Sequence, residues 1–180
     1  MSSQPTQQKE GAGHAAFHDA LTGLPNRALF RNRLEIGFAH ARRHGWLLAV
    51  MFLGLDRFKE VNDSHGHDAG DGVLQAIALR LKNTIRGDDT VSRHRGDEFL
   101  YLAAEIRERK NIAMLAEKII KAIQAPCDIN VNGRIISLAV KASIGIAVFP
   151  KDGATADELI GSAGRAMHQA KQENSGYAFS

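Results

Sequence analysis

The run Trp46-Leu-Leu-Ala-Val-Met-Phe-Leu-Gly-Leu55, followed at once by Asp56-Arg-Phe-Lys-Glu-Val-Asn62, decides the fold. It is too short to cross a bilayer, which takes about 20 apolar residues. A short segment apolar at nearly every position, with no alternation, reads as a strand buried on both faces, typical of a central sheet covered by helices. Outward from it the period changes. On its amino-terminal side Phe30, Leu34, Phe38 and Ala41 recur at three- and four-residue spacing, predicting an amphipathic helix from Asn26 to His44 that ends at His44-Gly45. On the other side Asp56 to Asp71 is dense in Asn, Asp, His and Gly and reads as a polar loop. Val73, Leu74, Ile77, Leu81 and Ile85 then mark a second helix.

Further along, Arg95-Gly96-Asp97 separates the strand-like pieces Thr90 to Arg93 and Phe99 to Ala103, a hairpin signal. Ile112, Leu115, Ile119, Ile120 and Ile123 form a third helical face, stopped at Pro126. Asn132-Gly133, both tolerant of positive φ, predicts that Cys127 to Val131 and Arg134 to Val148 pair antiparallel. Thr155 stands three residues before Glu158, the spacing of a capping box, and opens a last helix through Leu159, Ala163, Met167 and Ala170. Helices alternating with hairpins predict an α/β (α+β) sandwich with a mixed central sheet of about five strands, flanking helices and a β-hairpin. Residues 1–14, rich in Ser, Gln, Gly and Lys, read as a flexible lead-in, and 15–180 as one domain.

The chain has 180 residues, 44% hydrophobic and 24% charged, enough to build a sizeable core, which excludes disordered and low-complexity classes. A formal charge of +3 with interspersed signs gives no argument for nucleic acid. The single cysteine, Cys127, forms no internal disulfide and suits a reducing, cytoplasmic setting. Chemistry concentrates in loops at strand ends. Here those are Asp56 to Asp71 and the Arg95 to Glu98 hairpin, where the adjacent carboxylates Asp97 and Glu98 suit a hard cation such as Mg²⁺. Acidic turns are also common in chains that bind nothing. His65 with His67, and His14 with His18, lack a third ligand at recognisable spacing and read as hydrogen-bonding residues.

Five ordered motifs resemble the GGDEF domains of bacterial cyclic-di-GMP signalling. They are Asp19-Ala-Leu-Thr-Gly-Leu-Pro-Asn-Arg27, the stretch Asp56 to Asp71, Arg93-His-Arg-Gly-Asp-Glu-Phe99, Ser143-Ile-Gly-Ile-Ala-Val-Phe-Pro150 and Ala166-Met-His-Gln-Ala-Lys171. The resemblance implies a fold similar to adenylyl cyclase and polymerase palm domains, and a nucleotidyl transfer between two GTP molecules. In that reaction the 3′-hydroxyl of one GTP attacks the α-phosphorus of the other and releases pyrophosphate, across a homodimer interface. Mg²⁺ or Mn²⁺ would stabilise the charge developing on the phosphate. Carried onto this sequence, the resemblance assigns Asn62 and Asp71 to the guanine edge, Phe58, Lys59 and Lys171 to the phosphates, and Asp97 with Glu98 to metal and catalysis. Leu55 would offer its backbone carbonyl to the metal. Arg86 and Asp89, assisted by Arg93, match an inhibitory site for the product. The same positions also suit plainer roles, Asn62 and Asp71 as caps, the lysines as solvated surface and Arg86 to Asp89 as a charged turn.

Three positions depart from the family pattern. Gly54 stands where a metal-binding Asp is usual, Arg95 replaces the first signature glycine, and Ser175 replaces a second phosphate-contacting Arg. If position 95 requires a left-handed backbone, a residue with a Cβ costs roughly 1 to 2 kcal/mol there. Arg95 also offers a guanidinium to a phosphate. The losses fall on metal and phosphates while the guanine contacts persist. That pattern favours a weakly active or inactive regulatory module binding GTP, cyclic-di-GMP or both. An active diguanylate cyclase and an interaction module without nucleotide remain alternatives. The loop style resembles GGDEF domains that precede a phosphodiesterase domain of the EAL type, so a neighbouring EAL or sensor domain is expected in a larger parent protein.

Overall fold

The computed structural model describes residues 16–180. The lead-in reading for residues 1–14, and His14 within it, lie outside the described residues. Helix α1 (Arg27–His44) begins at Asn26, whose side chain accepts from the Leu29 N–H, and ends at Gly45 with φ 66°. Its buried face is Phe30, Leu34, Phe38 and Ala41, the periodic set of the sequence. Strand β1 (Leu47–Asp56) is buried at every position except its ends. The alternation that its sequence hides is real in three dimensions. Ala49, Met51, Leu53 and Leu55 face one core, and Leu48, Val50 and Phe52 face the other.

The polar stretch after β1 differs from the loop expected. It folds into helices α2 (Phe58–His65) and α3 (His67–Lys82), separated only by Gly66 at φ 84°. No residue of α2 is fully buried, so it has no apolar face for a periodicity argument to find. Next come β2 (Thr90–Arg95), β3 (Glu98–Ile106) and α4 (Lys110–Gln124).

The strand expected over Arg134 to Val148 is divided in two. Strand β5 (Arg134–Leu138) pairs antiparallel with β4 (Cys127–Val131) in a separate two-stranded sheet, whereas β6 (Lys141–Phe149) joins β1 in the main sheet. The Asn132-Gly133 turn takes positive φ at both residues, 51° and 81°. Helix α5 (Ala156–Glu173) opens on the expected capping box of Thr155 and Glu158. A short strand β7 (Tyr177–Phe179), absent from the sequence reading, lies parallel to β6.

The main sheet is mixed, five-stranded and ordered β2-β3-β1-β6-β7. Helices α3 and α4 pack Val73, Ile77, Leu81, Ile112 and Ile119 on one face. Helices α1 and α5 pack Phe30, Phe38, Leu159 and Met167 on the other. Gly145 lets α5 lie directly on β6, because a Cβ there would meet the Ala163 carbonyl oxygen at 1.9 Å and the Met167 nitrogen at 2.0 Å. None of the helices described is long and apolar enough to cross a membrane.

Candidate functional site

Strand β1 ends at Gly54-Leu55-Asp56 in the middle of the sheet. Gly54 is flanked in register by Glu98 of β3 and Ser143 of β6. The Leu55 N–H donates to the Asp97 carbonyl at 3.3 Å, which ties the signature hairpin to the strand end. Asp56 Oδ1 accepts from Ser143 Oγ at 2.9 Å and lies 3.9 Å from Lys171 Nζ, which reaches in from α5. The fold therefore gathers Leu55, Asp56, Asp97, Glu98 and Lys171 from β1, the hairpin and α5. Glu98 is not free. Its Oε2 accepts from Arg95 Nε at 2.7 Å.

The backbone corrects one expectation. Arg95 lies in β2 and is absent from the residues with positive φ, whereas Gly96 takes φ 49°. The second glycine position makes the turn, so Arg95 carries no left-handed strain. A bulge between Arg93 and Arg95 leaves His94 as the extra residue, its ring edge-on to Phe52. Burial, and after it the nearby Arg27 charge, pulls the His94 pKa down.

Helix α2 starts directly after the strand end. Arg57 at φ 55° precedes it and gives no side-chain cap, so its first-turn amides carry no cap from that residue at the positive end of the helix dipole. Asn62 is half-buried one turn later, and Asp71 is exposed in the first turns of α3. Gly70 makes the two helices meet, because a Cβ there would sit 1.8 Å from Asn62 Oδ1 and 3.2 Å from Phe58 Cζ. Phe58, Asn62 and the segment carrying Asp71 thus share one junction. His65 and His67 are exposed on either side of Gly66.

A second polar group lies where α3 runs into β2. Asp89 accepts from the Tyr101 hydroxyl at 2.9 Å and from the Ala104 N–H at 2.9 Å. Burial raises the Asp89 carboxyl pKa, and these hydrogen bonds only partly oppose it. Tyr101 is pushed up by burial and by the Asp89 charge. Arg86 is exposed, and with Asp89, Asn111, Met114 and Lys118 it lines a cleft of about 680 Å³. Arg93 is not brought to this cleft. Its guanidinium donates to Asp19 at 3.2 Å and to the Gly96 carbonyl at 2.8 Å, at the hairpin end of β2. Burial works against the Asp19 charge, but hydrogen bonds from Thr22 and Arg93 hold its carboxyl below the usual range. The sequence reading missed Tyr101 as the Asp89 partner and Asp19 as the Arg93 partner. Asp19 lies in the quoted opening motif, but nothing in that motif names its partner.

A family model described as the diguanylate cyclase GGDEF domain matches residues 16–176. The chain belongs to the GGDEF domain family. It is 45% identical over 165 residues to the bifunctional diguanylate cyclase/cyclic di-GMP phosphodiesterase MucR of Pseudomonas aeruginosa, covering 91% of this chain and 23% of MucR. The GGDEF domain of TpbB (YfiN) from Pseudomonas aeruginosa superimposes with TM-score 0.82 at 40% identity, covering 90% of this chain and 91% of that one. A microbial GGDEF domain described in an interaction with cyclic di-GMP matches with TM-score 0.76 at 26% identity, covering 94% and 99%. The chain spans under a quarter of MucR and 40% of the full TpbB cyclase.

GGDEF cyclases in general use GTP and a divalent metal. The donors at this strand end are the Leu55 carbonyl and Asp97, since Gly54 offers no side chain, Glu98 bonds Arg95, and Asp56 bonds Ser143 beside Lys171. Among the described residues no group of three or more His, Cys, Asp or Glu could hold a metal. With one free carboxylate, a divalent ion would rest on Asp97 and the Leu55 carbonyl and take its remaining oxygen ligands from water and substrate phosphates.

Proposed function

We propose that this GGDEF domain is a regulatory module of cyclic-di-GMP signalling, catalytically weak or inactive, that binds GTP, cyclic-di-GMP or both. The observation that carries this reading is an asymmetry at the strand end. On the guanine side, Asn62 and the segment bearing Asp71 meet at the Gly70 junction, where an amide and a carboxylate suit the guanine N1 and N2 donors. On the metal side Gly54 supplies no acid and Arg95 occupies Glu98. Phe58 and Lys59 in the first turn of α2, and Lys171 beside Asp56 at the preceding strand end, are suited to phosphates. Arg86 and Asp89 in their cleft are the candidates for a cyclic-di-GMP contact. The proposed setting is cytoplasmic, beside an EAL or sensor domain in a larger protein.

Calorimetric titration with GTP and with cyclic-di-GMP tests the binding. A clear heat, lost for GTP in Asn62→Ala and for cyclic-di-GMP in Arg86→Ala, supports the module, and no heat with either ligand refutes it. Incubation with GTP and Mg²⁺ or Mn²⁺ tests the activity. Cyclic-di-GMP made at rates ordinary for the family would overturn the regulatory reading. The alternative of an active homodimeric cyclase is favoured by Asp97, a half-buried carboxylate at the strand end with no side-chain partner among the described residues. It requires that Asp97→Ala abolish product.

A further inference from the structure

We infer that the positive charge a divalent ion would bring to this site is supplied by the chain's own Arg95 and Lys171, so that GTP binds without metal. The inference rests on the GTP-binding reading above and adds to it the means by which the phosphates are neutralised. Three carboxylates gather at the end of β1, and two of them already face a protein cation. Arg95 Nε holds Glu98 Oε2 at 2.7 Å, and Lys171 Nζ stands 3.9 Å from Asp56 Oδ1. The two cations flank Gly54 from opposite sides. Arg95 pairs with Glu98 on the β3 side, and Lys171 approaches with Ser143 on the β6 side.

Between them nothing projects from Gly54, and Met167 covers the spot, its sulfur 3.1 Å from where a Cβ would lie. Relative to the family pattern, one negative charge is missing at position 54 and one positive charge is added at position 95. With the phosphate-contacting Arg that Ser175 replaces also counted, the local charge shifts by one unit in the positive direction, and Arg95 stands with Lys171 as the second cation at the strand end. A dication would have to displace Arg95 from Glu98 or rely on Asp97 and a carbonyl. A guanidinium is permanently charged, presents a planar fork of N–H donors to phosphate oxygens, and needs no recruitment from solution. Arg95 and Lys171 are 77% and 48% exposed, so both side chains can turn from their carboxylates to a phosphate without disturbing the core.

The test uses the full chain and two ligands, GTP and guanosine, titrated in excess Mg²⁺ and in excess EDTA. The inference expects GTP dissociation constants that agree within about threefold in the two buffers. Arg95→Gln and Lys171→Met should each weaken GTP about tenfold or more, the scale of a charge-assisted hydrogen bond, and leave guanosine unchanged. The double variant Gly54→Asp/Arg95→Gly should make GTP binding depend on Mg²⁺. Thermal unfolding of each variant establishes that it is folded. GTP binding in Mg²⁺ that is lost in EDTA would overturn the inference and leave the GTP-binding reading standing. Equal binding in both buffers that Arg95→Gln and Lys171→Met do not alter would also overturn it. Absence of binding in both buffers would overturn the GTP-binding reading and the inference with it.

Discussion

Replacing Gly145 by Ala should be among the most damaging single-methyl changes in this protein, and the structure says why. The new Cβ would lie 1.9 Å from the Ala163 carbonyl oxygen and 2.0 Å from the Met167 nitrogen, both backbone atoms of α5. No rotamer relieves such contacts. The helix must withdraw by well over an ångström, which loosens Leu159, Ala163, Met167 and Ala170 from the sheet. Overpacking costs typically 1 to 3 kcal/mol, and with backbone on the receiving side the upper end, about 3 kcal/mol, is expected. For a domain of this size that lowers Tm by about 6 to 12 °C. Gly54→Ala is the internal control. It meets only the Met167 sulfur at 3.1 Å, the far end of a flexible side chain, and a strand gains roughly 0.5 to 1 kcal/mol on replacing Gly by Ala. Its net effect should stay within about 1 kcal/mol. Urea unfolding of both variants measures the difference. Equal stabilities for the two would refute the account of how α5 is seated.

Tyr101→Phe removes the hydroxyl whose single proton lies between Asp89 Oδ2, at 2.9 Å, and the Thr84 carbonyl, at 3.1 Å, leaving the half-buried carboxylate under-bonded. A loss of about 1 to 3 kcal/mol in urea unfolding is expected. Burial raises the folded pKa of Asp89 above its unfolded value, so the folded state holds the proton more tightly. Stability from this group is therefore present at low pH and falls as pH rises from about 3.8 through the raised value, a fall that Asp89→Asn should flatten in a Tm-against-pH series. Asp19 has the opposite sign. Its lowered pKa gives stability above the unfolded pKa that is lost as pH falls through the folded one, and Arg93→Gln should shrink that acid loss in the same series. Thr155→Ala breaks the capping box of α5 and should cost about 1 kcal/mol by the same unfolding assay, with Thr155→Ser recovering most of it.

Elements with strong periodicity were legible in the sequence. Helix α1, strand β1, helix α4, the Asn132-Gly133 hairpin and the capping box each announce themselves through local spacing or turn chemistry. Helix α2 did not, because Arg57-Phe-Lys-Glu-Val-Asn-Asp-Ser64 has only half-buried apolar positions and its neighbour is a glycine. The division between β5 and β6 was hidden for the opposite reason. Ser137-Leu-Ala-Val140 is apolar enough to continue a strand, and the change of sheet depends on which partner each half meets. For the site, motif spacing picked out residues that the fold does bring together, such as Leu55, Asp97 and Lys171. It could not show what those residues bond to. The Arg95–Glu98 and Asp56–Ser143 pairs, and the engagement of Arg93 by Asp19, are products of strand register and helix docking.

Helix α2, the shortest of the five helices described and without a fully buried residue, carries Phe58, Lys59 and Asn62 on the segment with the thinnest apolar anchorage among them. Segments of that kind open locally at a small fraction of the free energy of global unfolding. A ligand that grips α2 therefore changes its exchange and cleavage rates before it changes anything in the core. At a hundredfold excess over its dissociation constant, a ligand adds about 2.7 kcal/mol to the closed state, roughly a hundredfold in protection. Amide exchange confined to α2 would then report nucleotide concentration whether or not the domain makes product, with the sheet as an unchanging internal reference.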